Sequence, residues 1–363
     1  MKLQVTQENL NKALGSVARV ANTRGTLPIL SNVLLKTIDG RLSIAATNLD
    51  IAITHVIGSK VTKEGSITVP ARLMQDFVSS LPSEIIELKL DEQKLRISTE
   101  KYTSTINGIS AEEYPVMPAI ANGKTWSIPA KLLKQTLQQV VMAASGDESR
   151  PVLTGVYWHT HEGKLYMVAT DSYRLAEKSL ISIPHDISLL IPASSLQELL
   201  RIIADYEGDV TVTHDDQQVL FTVGHITLVT RLIEGKYPDY RKLVPRSFAS
   251  SAVLKKSELT NITKISSLFA RESAGSVTLQ LDAEDQQVSI NSIASQIGEN
   301  VANASAEVTN EGSITLNSRY ILDALHALSG DNVQISFNGK LEPCLLSDPA
   351  AKDYLHVIMP LKS

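Results

Sequence analysis

The 363-residue chain carries 34 Lys and Arg against 39 Asp and Glu, a formal charge of −5, with 43% hydrophobic and 20% charged residues. That is the balance of an ordinary globular protein of several domains, and its average surface charge speaks against a free-standing basic nucleic-acid binder. No apolar run approaches the ~20 residues of a membrane span; the start Met1-Lys2-Leu3-Gln4-Val5 lacks a leader pattern, and the lone cysteine, Cys344, cannot pair internally, so a reducing, cytoplasmic setting is expected.

Thr6 places a capping hydroxyl before a first helix whose apolar residues Leu10, Leu14 and Val17 recur at helical spacing. Short β-rich runs follow at Ile29–Lys36, Leu42–Ala46 and Ile51–Val56, the first two separated by the hairpin signal Asp39-Gly40. Pro70 then opens a second helix carrying Leu73, Phe77 and Leu81, and further strands are predicted at Ile85–Leu90, Leu95–Ser98 and Tyr102–Asn107. The helical spacing returns at Leu133, Leu137 and Val140, at Leu196, Leu199 and Ile203, at Ile262, Ile265 and Phe269, and at Ile321, Leu325 and Leu328. Six amphipathic helices and roughly eighteen strands make an α+β protein.

The elements recur because the chain repeats itself. A shift of 123 residues lays Pro28-Ile29-Leu30-Ser31-Asn32-Val33 on Pro151-Val152-Leu153-Thr154-Gly155-Val156, and Ala46-Thr47-Asn48 on Ala169-Thr170-Asp171. The same shift brings Tyr114-Pro115 onto Tyr237-Pro238, and a shift of 246 puts Val288-Ser289-Ile290 on Leu42-Ser43-Ile44. Three tandem copies follow, with domains expected at residues 1–122, 123–247 and 248–363, divided at polar, turn-prone segments. The six helical windows hold nine bases (Lys12, Arg19, Arg72, Lys131, Lys134, Arg201, Lys256, Lys264 and Arg319) and five acids, which leaves the rest of the chain at −9. Helices facing a polyanion and sheets facing water would give that split; so would the ordinary helix preference of Lys and Arg.

Catalytic patterns are absent: there is no phosphate-cradling glycine loop and no His-Glu-x-x-His. Cys344 has no activating neighbour and reads as a small buried hydrophobe. His159 and His161 share one strand face and could begin a metal site, but a third ligand is not suggested, and ordinary surface histidines are the plainer reading. The polar run Thr170-Asp171-Ser172-Tyr173-Arg174 has no base to activate Ser172, so it points to surface recognition.

Five separated stretches carry a resemblance over the whole chain: Thr26–Asn32, Val69–Arg72, Ala169–Ala176, Gly235–Arg241 and Val357–Leu361. In these the sequence resembles the bacterial DNA polymerase sliding clamps, the beta subunits of the replicative polymerase. The resemblance implies three clamp-type domains, each of two helices packed on antiparallel sheets, and a head-to-tail homodimer closing a six-domain ring around duplex DNA. It implies a non-catalytic processivity factor without metal or cofactor, which docks the replicative polymerase, the clamp loader and repair polymerases through a peptide-binding cleft. The cleft residues carried over are Leu153, Thr170, Arg174, Leu175, Pro238, Leu243, Asn317, Tyr320, Val357, Met359, Pro360 and Leu361, and the DNA-contacting residues are Arg24, Arg72 and Arg150. Departures stand at Ser172-Tyr173 (usually Gly-His), Ala274 (usually aromatic), Ala193-Ser194 (usually a basic pair) and the final Lys362-Ser363. Two other readings remain at this point: a metal-dependent enzyme built on His159 and His161, and a protein-binding repeat scaffold that never touches DNA.

Overall fold

The computed structural model describes residues 1–21, 27–183, 185–294 and 298–361. Six α-helices occur among them: α1 (Gln7–Val17), α2 (Ala71–Ser80), α3 (Ala130–Val140), α4 (Ala193–Ile202), α5 (Lys256–Phe269) and α6 (Ser318–Ala327). The Thr6 hydroxyl accepts the Asn9 N–H at the start of α1, as its capping position predicts. Every helix is led in directly by a short strand: Lys2–Thr6, Ser66–Pro70, Lys124–Pro129, Ser188–Pro192, Ser250–Lys255 and Gly312–Asn317. No glycine-rich or polar turn separates strand from helix there, so periodicity alone gave these strands no boundary. With the edge pieces Lys60–Lys63 and Glu307–Val308 they raise the strand number from roughly eighteen to twenty-six among the described residues. The run expected as a strand from Ile29 begins instead with a 3-10 turn, Pro28–Ser31, because the proline fixes φ and supplies no N–H to a ladder; Pro151–Leu153 repeats it.

The chain forms two compact units, Met1–Lys134 with Gln197–Leu232, and Gln135–Leu196 with Ile233–Ser363. One rule builds the sheets of both. After each helix comes a three-stranded antiparallel meander, and it takes as its fourth strand the one leading into the other helix of the same copy. In the first unit Lys2–Thr6 thus pairs with Ile85–Asp91, and Ser66–Pro70 with Asn32–Ile38. Two meanders then join through their third strands: Ile51–Ile57 with Ile226–Arg231 in the first unit, and Arg174–Ser182 with Tyr354–Ile358 in the second. These joins yield an eight-stranded and a nine-stranded sheet. The third strands Thr103–Asn107 and Gly298–Ser305 are left as sheet edges.

Trp158, Phe221 and Phe337 are among the largest fully buried side chains. The predicted stripes of α1, α3, α4 and α6 face the core as expected. Two stripes differ. On α2 the buried residues are Ala71, Met74 and Val78, with Leu73 left 53% exposed; on α5 they are Leu259, Ile262, Thr263 and Ser266, with Ile265 and Leu268 exposed. Both helices carry an apolar edge beyond what their own core needs.

Candidate binding cleft

The strand Lys164–Thr170 ends in a corner that its own side chains hold. Thr170 donates its hydroxyl to the Arg174 carbonyl at 2.6 Å and accepts the Ser172 N–H at 3.2 Å. Asp171 Oδ1 accepts the N–H groups of Tyr173 and Arg174, both at 2.9 Å, which places Ser172 in the left-handed region at φ 77°. Arg174 leaves the corner with its side chain only 11% exposed. Its guanidinium donates to Asp171 Oδ2 at 3.1 Å, to Asp323 Oδ2 on α6 at 2.5 Å and to the Met142 carbonyl at 2.5 Å, and it lies 4.6 Å over the Tyr320 ring. A buried cation so fully paired is a structural hub, and mainly its stem is left to face a ligand.

Opposite the corner runs the end of the chain. In the strand pair Arg174–Ser182 and Tyr354–Ile358, Leu175 faces Val357. Beyond it, the Met359 N–H donates to the Tyr173 carbonyl and the Leu361 N–H to the Thr315 carbonyl, both at 2.8 Å. A terminus tied down this way stays ordered. The third wall comes from the segment after a 3-10 turn, Tyr240–Lys242. Thr170, Ser172, Arg174, Leu175, Leu243, Val244, Val357 and Met359 together line one small cleft. Leu175 and Val357 form its apolar floor, and Leu243, 53% exposed, stands at its lip.

Six expected cleft residues therefore line it: Thr170, Arg174, Leu175, Leu243, Val357 and Met359. The others lie outside the lining. Tyr320 lies against the Arg174 guanidinium, Asn317 caps α6 and bonds the Ala274 carbonyl, and Leu361 pins the tail. Leu153 is buried in its 3-10 turn, Pro238 accepts the Tyr240 N–H, and Pro360 links Met359 to Leu361. Ser172, expected in a surface-recognition run though not among the cleft residues, lines it too, and Val244 was missed, since a β-branched residue after Leu243 gives no signal of its own.

Arg150, expected at DNA, is tied to the cleft corner. Its guanidinium donates to Asp147 Oδ2 and to the Ser172 hydroxyl, both at 3.1 Å, so it braces the cleft rim. Ser149 hydrogen bonds, and then Arg150, hold the Asp147 carboxyl below its usual range. Arg72 is exposed in the first unit and lines an open groove with Arg19, Asn48 and Gln75. Arg24 lies outside the described residues, as do Lys362 and Ser363. His159 is no surface histidine: it is buried, its Nε2 lies 2.8 Å from the Tyr240 hydroxyl, and burial pushes its pKa down to about 4. With that nitrogen engaged, and no group of three or more metal-binding side chains among the described residues, the pair with His161 does not make a metal site. Cys344 is buried, its thiol raised to about 12 by that burial, which fits a packing role.

Comparison with known proteins covers the chain from end to end. Residues 1–118, 127–239 and 241–362 match the family profiles described as the N-terminal, central and C-terminal domains of the DNA polymerase III beta subunit. The Beta sliding clamp of Bacillus subtilis is 32% identical over 377 aligned residues, with all of both chains covered; that of Staphylococcus aureus is 29% identical over 376, again with both covered. Among solved structures, the B. subtilis DNA polymerase sliding clamp superposes with a TM-score of 0.96 at 30% identity, covering 100% of this chain and 99% of that one. The Pseudomonas aeruginosa DnaN sliding clamp bound to griselimycin gives 0.95 at 26% identity, with both chains covered in full.

Proposed function

This chain belongs to the DNA polymerase III beta subunit family, the bacterial sliding clamps, and from that premise we propose how its own residues perform the family's task. It is a non-catalytic processivity factor of DNA replication that encircles duplex DNA as a homodimeric ring and tethers the polymerase. The full-length match in both sequence and fold is the observation that carries this reading.

Ring closure follows from the sheet rule. Third strands join to third strands within each unit, and Thr103–Asn107 and Gly298–Ser305 are the two that lack such a mate. In the homodimer the first of these pairs with the second of the partner subunit, so the domain near residues 1–122 meets the domain near 248–363. The exposed apolar edges support it: Leu73 on α2 belongs to the first copy, and Ile265 and Leu268 on α5 belong to the third. Covering them removes apolar area from water at about 25 cal/mol per Å².

Duplex DNA is met through phosphates, without sequence readout, by bases of which Arg72 on α2 and Arg24 are the proposed first pair. Arg150 is reassigned to the cleft rim, where its bond to Ser172 supports a role in ligand binding. The cleft takes short peptide segments of the polymerase, the clamp loader and other replication proteins, with an apolar side chain seated between Leu175, Val357, Met359 and Leu243. Among the described residues no helix is long and apolar enough to cross a membrane, and the proposed location is the cytoplasm, where the chromosome is copied.

The test is topological. Loaded protein should be retained on nicked circular DNA and lost when the circle is linearised, and its solution mass should be twice 39.5 kDa. Equal retention on both forms, or a monomer at micromolar concentration, would defeat the reading.

A further inference from the structure

The lip of the cleft stands on neither a strand nor a helix. Leu243 and Val244 follow the 3-10 turn Tyr240–Lys242, closed by the Leu243 N–H on the Tyr240 carbonyl at 2.9 Å. What fixes that turn is Tyr240 itself. Its ring is 4% exposed and packs in one cluster with Leu175 and Val357, the cleft floor. Its hydroxyl donates to the Glu177 carboxylate, which can only accept. The same oxygen therefore accepts from His159 Nε2–H at 2.8 Å and from Arg241 Nε–H at 3.3 Å. Glu177 sits two residues beyond Leu175, on the same face of the same strand, so floor and anchor are held in one register. The His159 ring is set in turn by stacking on Tyr157 at 4.8 Å and Tyr166 at 5.5 Å, and the Arg241 guanidinium lies 4.7 Å over Tyr166.

We propose that Tyr240 is a positioning residue of the cleft, whose hydroxyl, held between Glu177 and His159, fixes the turn that presents Leu243 and Val244 and so sets ligand affinity. The proposal rests on the cleft reading above. A lip seated on a short turn has few backbone bonds of its own; without a fixed anchor it samples several positions, and the ligand must then order it on binding. Sub-ångström looseness in the shell behind a binding group is enough to lose affinity. The anchor also explains why a half-buried carboxylate meets a buried phenol and imidazole here although nothing reacts: each satisfies another, and together they allow one position for the turn.

Griselimycin, the ligand of the P. aeruginosa clamp structure, is a usable probe, with affinity read by calorimetry. Tyr240→Phe keeps the ring in its cluster and removes only the hydroxyl; it should weaken binding about tenfold, as should Glu177→Ala. Glu177→Gln keeps an acceptor for the phenol and should bind within about twofold of the natural protein. Two controls separate the causes. If the natural protein fails to bind, or Leu175→Asp binds as tightly, the cleft reading itself falls. If those behave while Tyr240→Phe stays within about twofold, only the positioning proposal falls. Val212→Ala, a buried change in the other unit, supplies a stability reference: equal loss of affinity for an equal drop in melting temperature would also overturn the proposal.

Discussion

Two corners of this molecule share a backbone and differ in what they carry. Thr47–Ile51 in the first copy and Thr170–Arg174 in the second make the same bonds. Thr47 donates to the Ile51 carbonyl at 2.9 Å and accepts the Leu49 N–H at 3.0 Å, as Thr170 does with Arg174 and Ser172. Asn48 Oδ1 accepts two N–H groups just as Asp171 Oδ1 does, and Leu49 at φ 79° matches Ser172 at φ 77°. At the fifth position the first copy has Ile51, buried as plain core, whereas the second has Arg174, paired to two aspartates and a carbonyl. The repeat supplies the frame; a cleft arises where the frame is furnished with a charge hub, an ordered tail and an apolar floor.

The largest effect expected from breaking this difference is on ligand binding. Deleting residues 359–363 removes Met359 from the cleft and the tail's bonds to Tyr173 and Thr315. Losing an anchoring contact of this kind costs about 2 kcal/mol or more, at least tenfold in affinity, and the first copy has no counterpart to take over. Fluorescence anisotropy with a labelled clamp-binding peptide measures it. Unaltered affinity in the truncated protein would show that the floor and lip suffice.

Arg174→Ala and Ile51→Ala compare the two fifth positions directly. Ile51→Ala should cost about 2–5 kcal/mol as a core cavity and leave peptide affinity alone. Arg174→Ala strands Asp323 and the Met142 carbonyl; a broken buried pair costs about 3–5 kcal/mol, and here affinity should fall with stability. Denaturant unfolding and anisotropy on both variants separate the outcomes, and equal affinity loss in both would mean the corner acts on the cleft only through global stability.

Acid should weaken the two regions alike. Burial is the first cause holding His55, on the strand that leaves the first corner, and His159, on the strand paired with the one that enters the second, at pKa values of about 4, with nearby cations adding to it. Both are neutral in the fold near pH 7, while an unfolded histidine titrates near about 6.5. Between those values the unfolded chain binds more protons, so stability is full above about pH 6.5 and is lost as pH falls toward 4. The difference between melting curves of the natural protein and His159→Gln isolates one of the two; parallel curves over that window would remove His159 from the account.

Much of this was legible in the residues. The shift of 123 exposed the repeat, and two of the five stretches that carry the family resemblance include Thr170, Arg174, Leu175, Val357 and Met359, which the fold brings to one cleft. Other features were hidden for physical reasons. Lead-in strands such as Ser66–Pro70 run into their helices without a turn, so no punctuation marks them. The α2 spacing of Leu73, Phe77 and Leu81 satisfies a helical period, but that period cannot say whether an apolar edge faces its own core or a partner subunit. Arg150 is basic and directly precedes the repeated segment Pro151–Val156; nothing in the sequence signals its bonds to Asp147 and Ser172, which support a place at the cleft rim.

The smallest expected effect tests the shared frame itself. Thr47→Val and Thr170→Val keep the shape of two buried side chains and remove one hydroxyl from each corner. In both cases the lost hydroxyl donated to the carbonyl four residues on and accepted the N–H two residues on. The second backbone bond across each corner, Asn48 N–H to Ile51 and Asp171 N–H to Arg174, survives the change. A net cost of about 1 kcal/mol is expected at each site, and because the bonding is the same the two costs should agree within about 0.5 kcal/mol. Affinity should separate them: Thr170 lines the cleft and Thr47 does not, so only Thr170→Val should weaken peptide binding, by a few-fold at most. Paired unfolding and binding curves decide the matter. Unequal stability costs would mean that the copies differ in their frame and not merely in their furnishing; equal costs with no change in affinity would mean that the Thr170 hydroxyl serves the fold alone.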